Sequence, residues 1–153
     1  MNIYFRVDAS CLIGSGHVMR DLVLAHALKA VGHQVCFICR VYPGNLIDFI
    51  RDKGFSVIAL GFSESALYAK QVFSDDYRQW LWLSQQEDAE DTIQAIDNHA
   101  VDWLIVDHYA LDALWERKLR AVANKIMVID DLANRPHDCD LLLDQNYYVD
   151  LAV

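Results

Sequence analysis

The sequence predicts an α/β fold: a Rossmann-like open parallel sheet with helices on both faces. Three observations predict it. Short apolar runs alternate with helical segments along the chain. The runs are continuous in hydrophobicity, as strands covered on both faces require. Glycines stand where helical segments stop.

The elements follow in order. "NIYFRV" (2–7) reads as a strand, and "HVMRDLVLAHALKAVG" (17–32) as a largely apolar helix stopped by Gly32. "QVCFICR" (34–40) is a second strand. A short helix over Leu46, Ile47, Phe49 and Ile50 ends at Gly54, and "FSVIAL" (55–60) is a third strand. Residues 61–82 are less regular. Ser84 and Glu87 form a capping box, and Ala89, Ile93, Ile96 and Ala100 recur at helical spacing. "VDWLIVD" leads to Asp107 as a fourth strand. Leu111, Trp115, Leu119 and Val122 then mark one helical face, "KIMVID" (125–130) a fifth strand, and "DLLLD" (140–144) a sixth.

At 153 residues the chain is one domain long, with 54% hydrophobic and 23% charged residues, a globular balance. Its formal net charge is -9, which argues against nucleic acid and anionic membrane surfaces as partners. A small anionic ligand stays compatible, because backbone N–H groups and helix ends bind anions without net positive charge. No stretch approaches the roughly 20 apolar residues of a membrane helix, and no basic-then-apolar leader opens the chain. A cytoplasmic protein without membrane insertion is expected. Cys36 and Cys39 have C-x-x-C spacing but lie in a strand, where residues three apart point to opposite faces. Together with Cys11 and Cys139 they read as ordinary thiols, with no metal or cofactor expected.

Ligands of open parallel sheets bind beyond the carboxyl ends of the strands, where strand order reverses. Three strand exits carry polar residues: Asp8, Ala9 and Ser10; Asp107, His108 and Tyr109; and Asp130 and Asp131, with Asn134, Arg135 and His137 shortly after. Parallel strands place all three exits along one edge. Asp112, Asp130 and Asp131 fit helix capping or loop tying equally well.

The first exit continues into "IGSGH". Gly14, Ser15 and Gly16 form a strand–turn–helix junction where free N–H groups and a positive helix end favour an anion. The pattern is neither G-x-G-x-x-G nor a Walker A loop. His17 lies in the first helical turn, where the dipole favours neutral imidazole, the form a general base needs. A histidine that only ties a loop fits the position too. His26, His33 and His99 carry no such context.

"FRVDASCLIGSGHVMRDLVLAHAL" resembles the opening of the UDP-sugar hydrolases of pseudaminic acid biosynthesis, relatives of the MurG-like glycosyltransferases. "YRQWLWLSQQEDAEDTIQAI", "VDWLIVDHYALD" and "VIDDLANRPHDCDLLLDQN" resemble later blocks of the same family, in order. The resemblance implies a two-domain GT-B architecture. Residues 1–144 would be its Rossmann-like N-terminal domain, and 145–153 the start of a linker to a C-terminal UDP-binding domain. It implies hydrolysis of UDP-2,4-diacetamido-2,4,6-trideoxy-β-L-altropyranose, with water attacking the anomeric carbon, inversion and release of UDP. His17 then maps onto the base, and Gly14, Ser15 and Gly16 onto the turn beneath the sugar and diphosphate. Asp8, Arg20, Asp107, His108 and Tyr109 fall in matching blocks, and their expected role as substrate contacts rests on the strand-exit argument alone. Alone, the chain would bind the UDP-sugar weakly and turn over little. Where members commonly read Trp-Leu-Gly, this chain has Trp80-Leu81-Trp82, which puts a flexible turn there in question. Two other readings share these residues: a glycosyltransferase using a hydroxyl acceptor, and a non-catalytic α/β binding module.

Overall fold

The structure is a computed structural model and describes residues 1–61 and 76–146. Its strands are β1 (Asn2–Val7), β2 (Gln34–Arg40), β3 (Ser56–Leu60), β4 (Val101–Asp107), β5 (Ala123–Ile129) and β6 (Leu141–Leu143). They form one sheet in the order β3-β2-β1-β4-β5-β6, and every pairing is parallel. Strand order reverses between β1 and β4, where Val7 stands opposite Asp107. That reversal opens a crevice at the carboxyl edge of the sheet.

The helices are α1 (Gly16–Ala30), α2 (Ile47–Asp52), α3 (Gln85–Ile96) and α4 (Ala113–Leu119). Strand alternation sends odd residues of β1 and β2 to one face and even residues to the other. Ile3, Phe5, Phe37 and Cys39 pack under Val18, Leu22 and Ala25 of α1 and Ile47 and Ile50 of α2. On the opposite face Ile38, Leu104, Val106 and Val128 pack under Ala89 and Ile96 of α3 and Trp115 and Leu119 of α4. The sheet is thus covered on both sides, as its continuous apolar runs predict. Among the described residues no helix is long and apolar enough to cross a membrane.

Local chemistry sets the helix ends. Ser84 accepts from the Glu87 amide while the Glu87 side chain accepts from the Ser84 amide, completing the predicted capping box. Gly32 and Gly54 take φ of +91° and +86° just past α1 and α2, the left-handed stop that glycine adopts without strain. Two boundaries differ from the sequence reading. The helix expected through Leu111 and Val122 spans only Ala113–Leu119, because Asp112 caps it by accepting from the Leu114 amide. Strand β5 begins at Ala123, two residues before the apolar run suggests. Much of the irregular 61–82 stretch, and most of 145–153, lies outside the described residues.

Beneath the crevice, on the α3 side, lies a buried ionic network. Arg6, Asp8, Arg40 and Asp88 are each no more than 2% exposed. Arg6 reaches Asp8 at 2.7 Å and forks onto Asp88 at 2.6 and 3.2 Å. Arg40 reaches Asp88 at 2.7 Å, and Trp115 Nε1 donates to Asp88 at 2.9 Å. Arg40 Nε adds a fifth donor at 3.2 Å, and together these bonds on one carboxylate tie β1, β2 and α4 to α3. Burial pushes the Asp88 carboxyl up, but Arg6 and Arg40 outweigh it and hold it below the usual range.

Candidate active site

Helix α1 buries His17, Val18, Asp21, Leu22 and Ala25. The apolar members seat the helix on the sheet. His17 and Asp21, four residues apart, therefore share the inward face at its N-terminal end. Strand β4 ends opposite them, so the side chain of Asp107 meets His17 directly. His17 Nδ1 lies 2.6 Å from Asp107 Oδ1. The carboxylate can only accept, so Nδ1 carries a proton aimed at Asp107.

Arg20, one helical turn beyond His17, forks onto the same carboxylate. Its Nε lies 2.6 Å from Oδ2 and its Nη2 2.5 Å from Oδ1. Nη2 is also 3.2 Å from His17 Nδ1, but both are donors converging on one oxygen. Burial alone would raise the Asp107 carboxyl; the Arg20 fork and His17 more than offset it and keep it ionised. Arg20 is in turn held well above its usual range by Asp107.

Tyr109 closes the site on the β4 side. Its ring meets His17 edge-on at 4.5 Å, and its hydroxyl donates to Asp131 Oδ1. Burial and the Asp131 carboxylate push the Tyr109 hydroxyl up to about 12, so it stays a proton donor near neutrality. Trp80 stacks on Tyr109 at 5.3 Å and lies edge-on to His17 at 5.5 Å. Tyr77 packs against both. An aromatic wall thus borders the imidazole.

The glycine turn borders His17 from the chain side. Gly14 donates to the Ser10 carbonyl at 2.8 Å, and Ser10 Oγ accepts from Leu12 and Ile13. Gly14, Ser15 and Gly16 are exposed, and the Ser15 hydroxyl makes no capping bond. Among the described residues, a Cβ built on Gly14 or Gly16 meets nothing within 4 Å. The first N–H groups of α1 have no side-chain cap among them either.

The strand exits converge as predicted, but not every polar residue faces the crevice. His17, Arg20, Asp107, Tyr109 and Asp131 form one constellation. Asp8 and His108 are 1% and 3% exposed and face each other, Nε2 to Oδ2 at 3.2 Å. Asp8 also accepts from the Arg40 amide at 2.7 Å. These two hold the floor of the site rather than its opening. Arg135 binds Asp130 at 2.7 Å, and His137 binds the buried Glu116 at 2.7 Å, which fixes the loop carrying Asp131. The remaining histidines do local work: His26 packs on Phe55, His33 lies by the N-terminus and His99 binds the Ile96 carbonyl. Trp80 and Asp21 are site residues that sequence reasoning passes over. Trp80 sits in an irregular stretch with no periodicity to flag it. Asp21 has a signal, its i+4 spacing from His17 on an otherwise apolar face.

No family model matches the chain. It is 32% identical over 149 residues to a UDP-2,4-diacetamido-2,4,6-trideoxy-β-L-altropyranose hydrolase of Campylobacter jejuni. That match covers 97% of this chain and 43% of the relative, so the chain spans less than half the relative's length. The resemblance read from the sequence motifs is therefore to a relative that bears that activity in its name.

Proposed function

From kinship with that hydrolase, we propose that this chain is the base-bearing half of a UDP-sugar hydrolase of the pseudaminic acid pathway. The substrate is UDP-2,4-diacetamido-2,4,6-trideoxy-β-L-altropyranose. The observation that carries the reading is the His17–Asp107 contact of 2.6 Å at the topological switch point. Asp107 fixes the tautomer and orientation of His17, so Nε2 can take a proton from water. The water oxygen attacks the anomeric carbon from the face opposite the nucleotide. The bond from that carbon to the β-phosphate oxygen breaks, and its electron pair leaves with UDP. The sugar carries the new hydroxyl with inverted configuration, and His17 holds the water's proton as imidazolium. Asp107, already ionised, stabilises that cation.

The other residues take supporting roles. Backbone N–H groups at Ser15 and Gly16 meet the developing charge of the diphosphate, while Gly14, whose own N–H is held by the Ser10 carbonyl, shapes the turn beneath it. Arg20 clamps Asp107, and Tyr109 walls the sugar side. Asp8 and His108 act from beneath, as part of the floor. Residues 1–144 form the N-terminal domain of a GT-B architecture, and the stretch from 145 leads to a UDP-binding domain. Without that domain the chain turns over little.

The test uses the longer protein with its C-terminal half. UDP release from the altrose nucleotide should fall about 10²- to 10⁴-fold in His17→Ala, the contribution expected of a positioned general base. Unchanged release would sink the assignment of His17. Product analysis with hydroxyl acceptors present separates hydrolysis from glycosyl transfer: a new glycoside in place of free sugar overturns the hydrolase reading.

A further inference from the structure

Asp21 has no part in the reaction just described, yet it lies directly behind it. It is 0% exposed, and among the described residues no N–H group donates to either of its carboxyl oxygens; its neighbour Asp107 is another carboxyl, with which it can share only a proton. The groups that face it are Asp107 from β4, Arg20 from its own helix and the buried Cys39 thiol from β2. Arg20 is committed to Asp107 through both Nε and Nη2. An ionised Asp21 would therefore be a second buried anion against Asp107 with no cation of its own, an arrangement that favours the neutral acid. Asp107 has the Arg20 fork and the His17 proton, so it is the partner that keeps the charge. Burial, then Asp107, raises the Asp21 carboxyl well above its ordinary range, in agreement with the geometry.

We propose that Asp21 stands in the site as a neutral carboxylic acid whose proton faces Asp107, making it a positioning residue for the His17–Asp107 pair. A neutral acid leaves Asp107 as the single anion behind the imidazole. Its O–H dipole also draws on the Asp107 charge and moderates how strongly that carboxylate holds a proton on His17. An ionised Asp21 would do the reverse and keep His17 as imidazolium, unable to accept a proton. The functional meaning rests on the reading of His17 as base, but the protonation state of Asp21 does not.

The experiment compares the wild-type chain with Asp21→Asn and Asp21→Leu. Infrared difference spectra of wild type against Asp21→Asn at pH 7 should show loss of a protonated-carboxyl carbonyl band. Loss of an ionised-carboxylate band instead overturns the proposal. The His17 imidazole titration, followed by NMR, should keep its midpoint in Asp21→Asn, which preserves a neutral donor. It should shift upward in Asp21→Leu, which removes the donor and leaves Asp107 more basic. A downward shift in Asp21→Asn would mean that a negative charge has been removed, and would overturn the proposal. Because Asn keeps the shape of Asp, the fold is retained for the decisive comparison. None of these readouts requires turnover, so they fail or succeed independently of the hydrolase reading.

Discussion

His17 and Asp107 meet at 2.6 Å across 90 positions of sequence, the imidazole on the first turn of α1 and the carboxylate on the last residue of β4. The two elements flank the point where strand order reverses, so the fold itself brings base and carboxylate together. Asp107→Asn keeps the size of the side chain but offers an amide that no longer fixes the proton on Nδ1. In the protein with its C-terminal half, kcat for UDP release should fall about 10²- to 10⁴-fold. KM should change little, because the substitution touches the base and not the glycine turn. Steady-state kinetics on the altrose nucleotide check both expectations.

The buried network predicts a large stability effect away from the chemistry. Asp88 is the shared acceptor of Arg6, Arg40 and Trp115. Asp88→Ala leaves two guanidinium groups buried with their main partner gone. Removing one side of a buried ion pair costs about 3–5 kcal/mol. Urea unfolding of the variant should show a loss of that order, with the denaturant slope unchanged.

Acid should unfold the chain through the same network. Arg6 and His108 outweigh burial and hold the Asp8 carboxyl far below its usual range, and Asp88 is lowered in the same way. A depressed folded-state pKa stabilises above the unfolded value of 3.8 and loses that stability as pH falls through the folded value. Melting temperature should thus drop steeply below about pH 4. Asp21 has the opposite sign: its raised carboxyl stabilises fully below 3.8 and loses that contribution as pH rises. Asp21→Asn should therefore raise the melting temperature at pH 7 and not at pH 4, as calorimetry at the two values can read.

Three glycines separate the demands of fold and ligand. Gly44 has φ +79°, and a Cβ there would stand 2.7 Å from Cys11 Sγ and 3.0 Å from the Cys11 amide nitrogen. Gly44→Ala should cost about 1–3 kcal/mol from left-handed strain and crowding together. Gly14 has φ +77° and no crowding atom among the described residues, so Gly14→Ala should cost only the backbone term, about 1–2 kcal/mol. Gly16 has no left-handed φ, and among the described residues nothing lies within 4 Å of a Cβ built there. Gly16→Ala should leave thermal stability intact while raising KM, since its methyl enters the space over the turn. Melting curves and kinetics on the three variants distinguish the cases.

Strands β1 and β2 were legible to the residue because apolar runs there end abruptly at Asp8 and at polar or glycine positions. Strand β5 was not, because Asn124 and Lys125 lie on the exposed rim, where a strand needs no apolar residue. Leu111 and Val122 carry helical spacing yet lie outside α4: periodicity records which residues are buried, and both pack in the core from flanking turns. In the site, the strand-exit rule points to Asp107 and Tyr109, which the structure places beside His17, while Arg20, inside α1, is flagged only by the family resemblance. The same rule groups Asp8 and His108 with ligand contacts. Their inward turn depends on Arg6 and Arg40, two buried cations on apolar strands that no local pattern announces.

Arg20 has a further reach. Beyond its fork on Asp107, its Nη1 lies 3.4 Å from Asp131 and 3.5 Å from Gln145, while Asn146 holds the Asp131 carbonyl at 3.1 Å. One guanidinium therefore spans the seam between the imidazole's carboxylate and the chain leaving β6. Three hydrogen bonds, through Arg20 and Asp107, join Gln145 to the proton on His17. The residues that carry the backbone out of the sheet act as a tether on the base, and a shift in their course would retune its alignment without touching it.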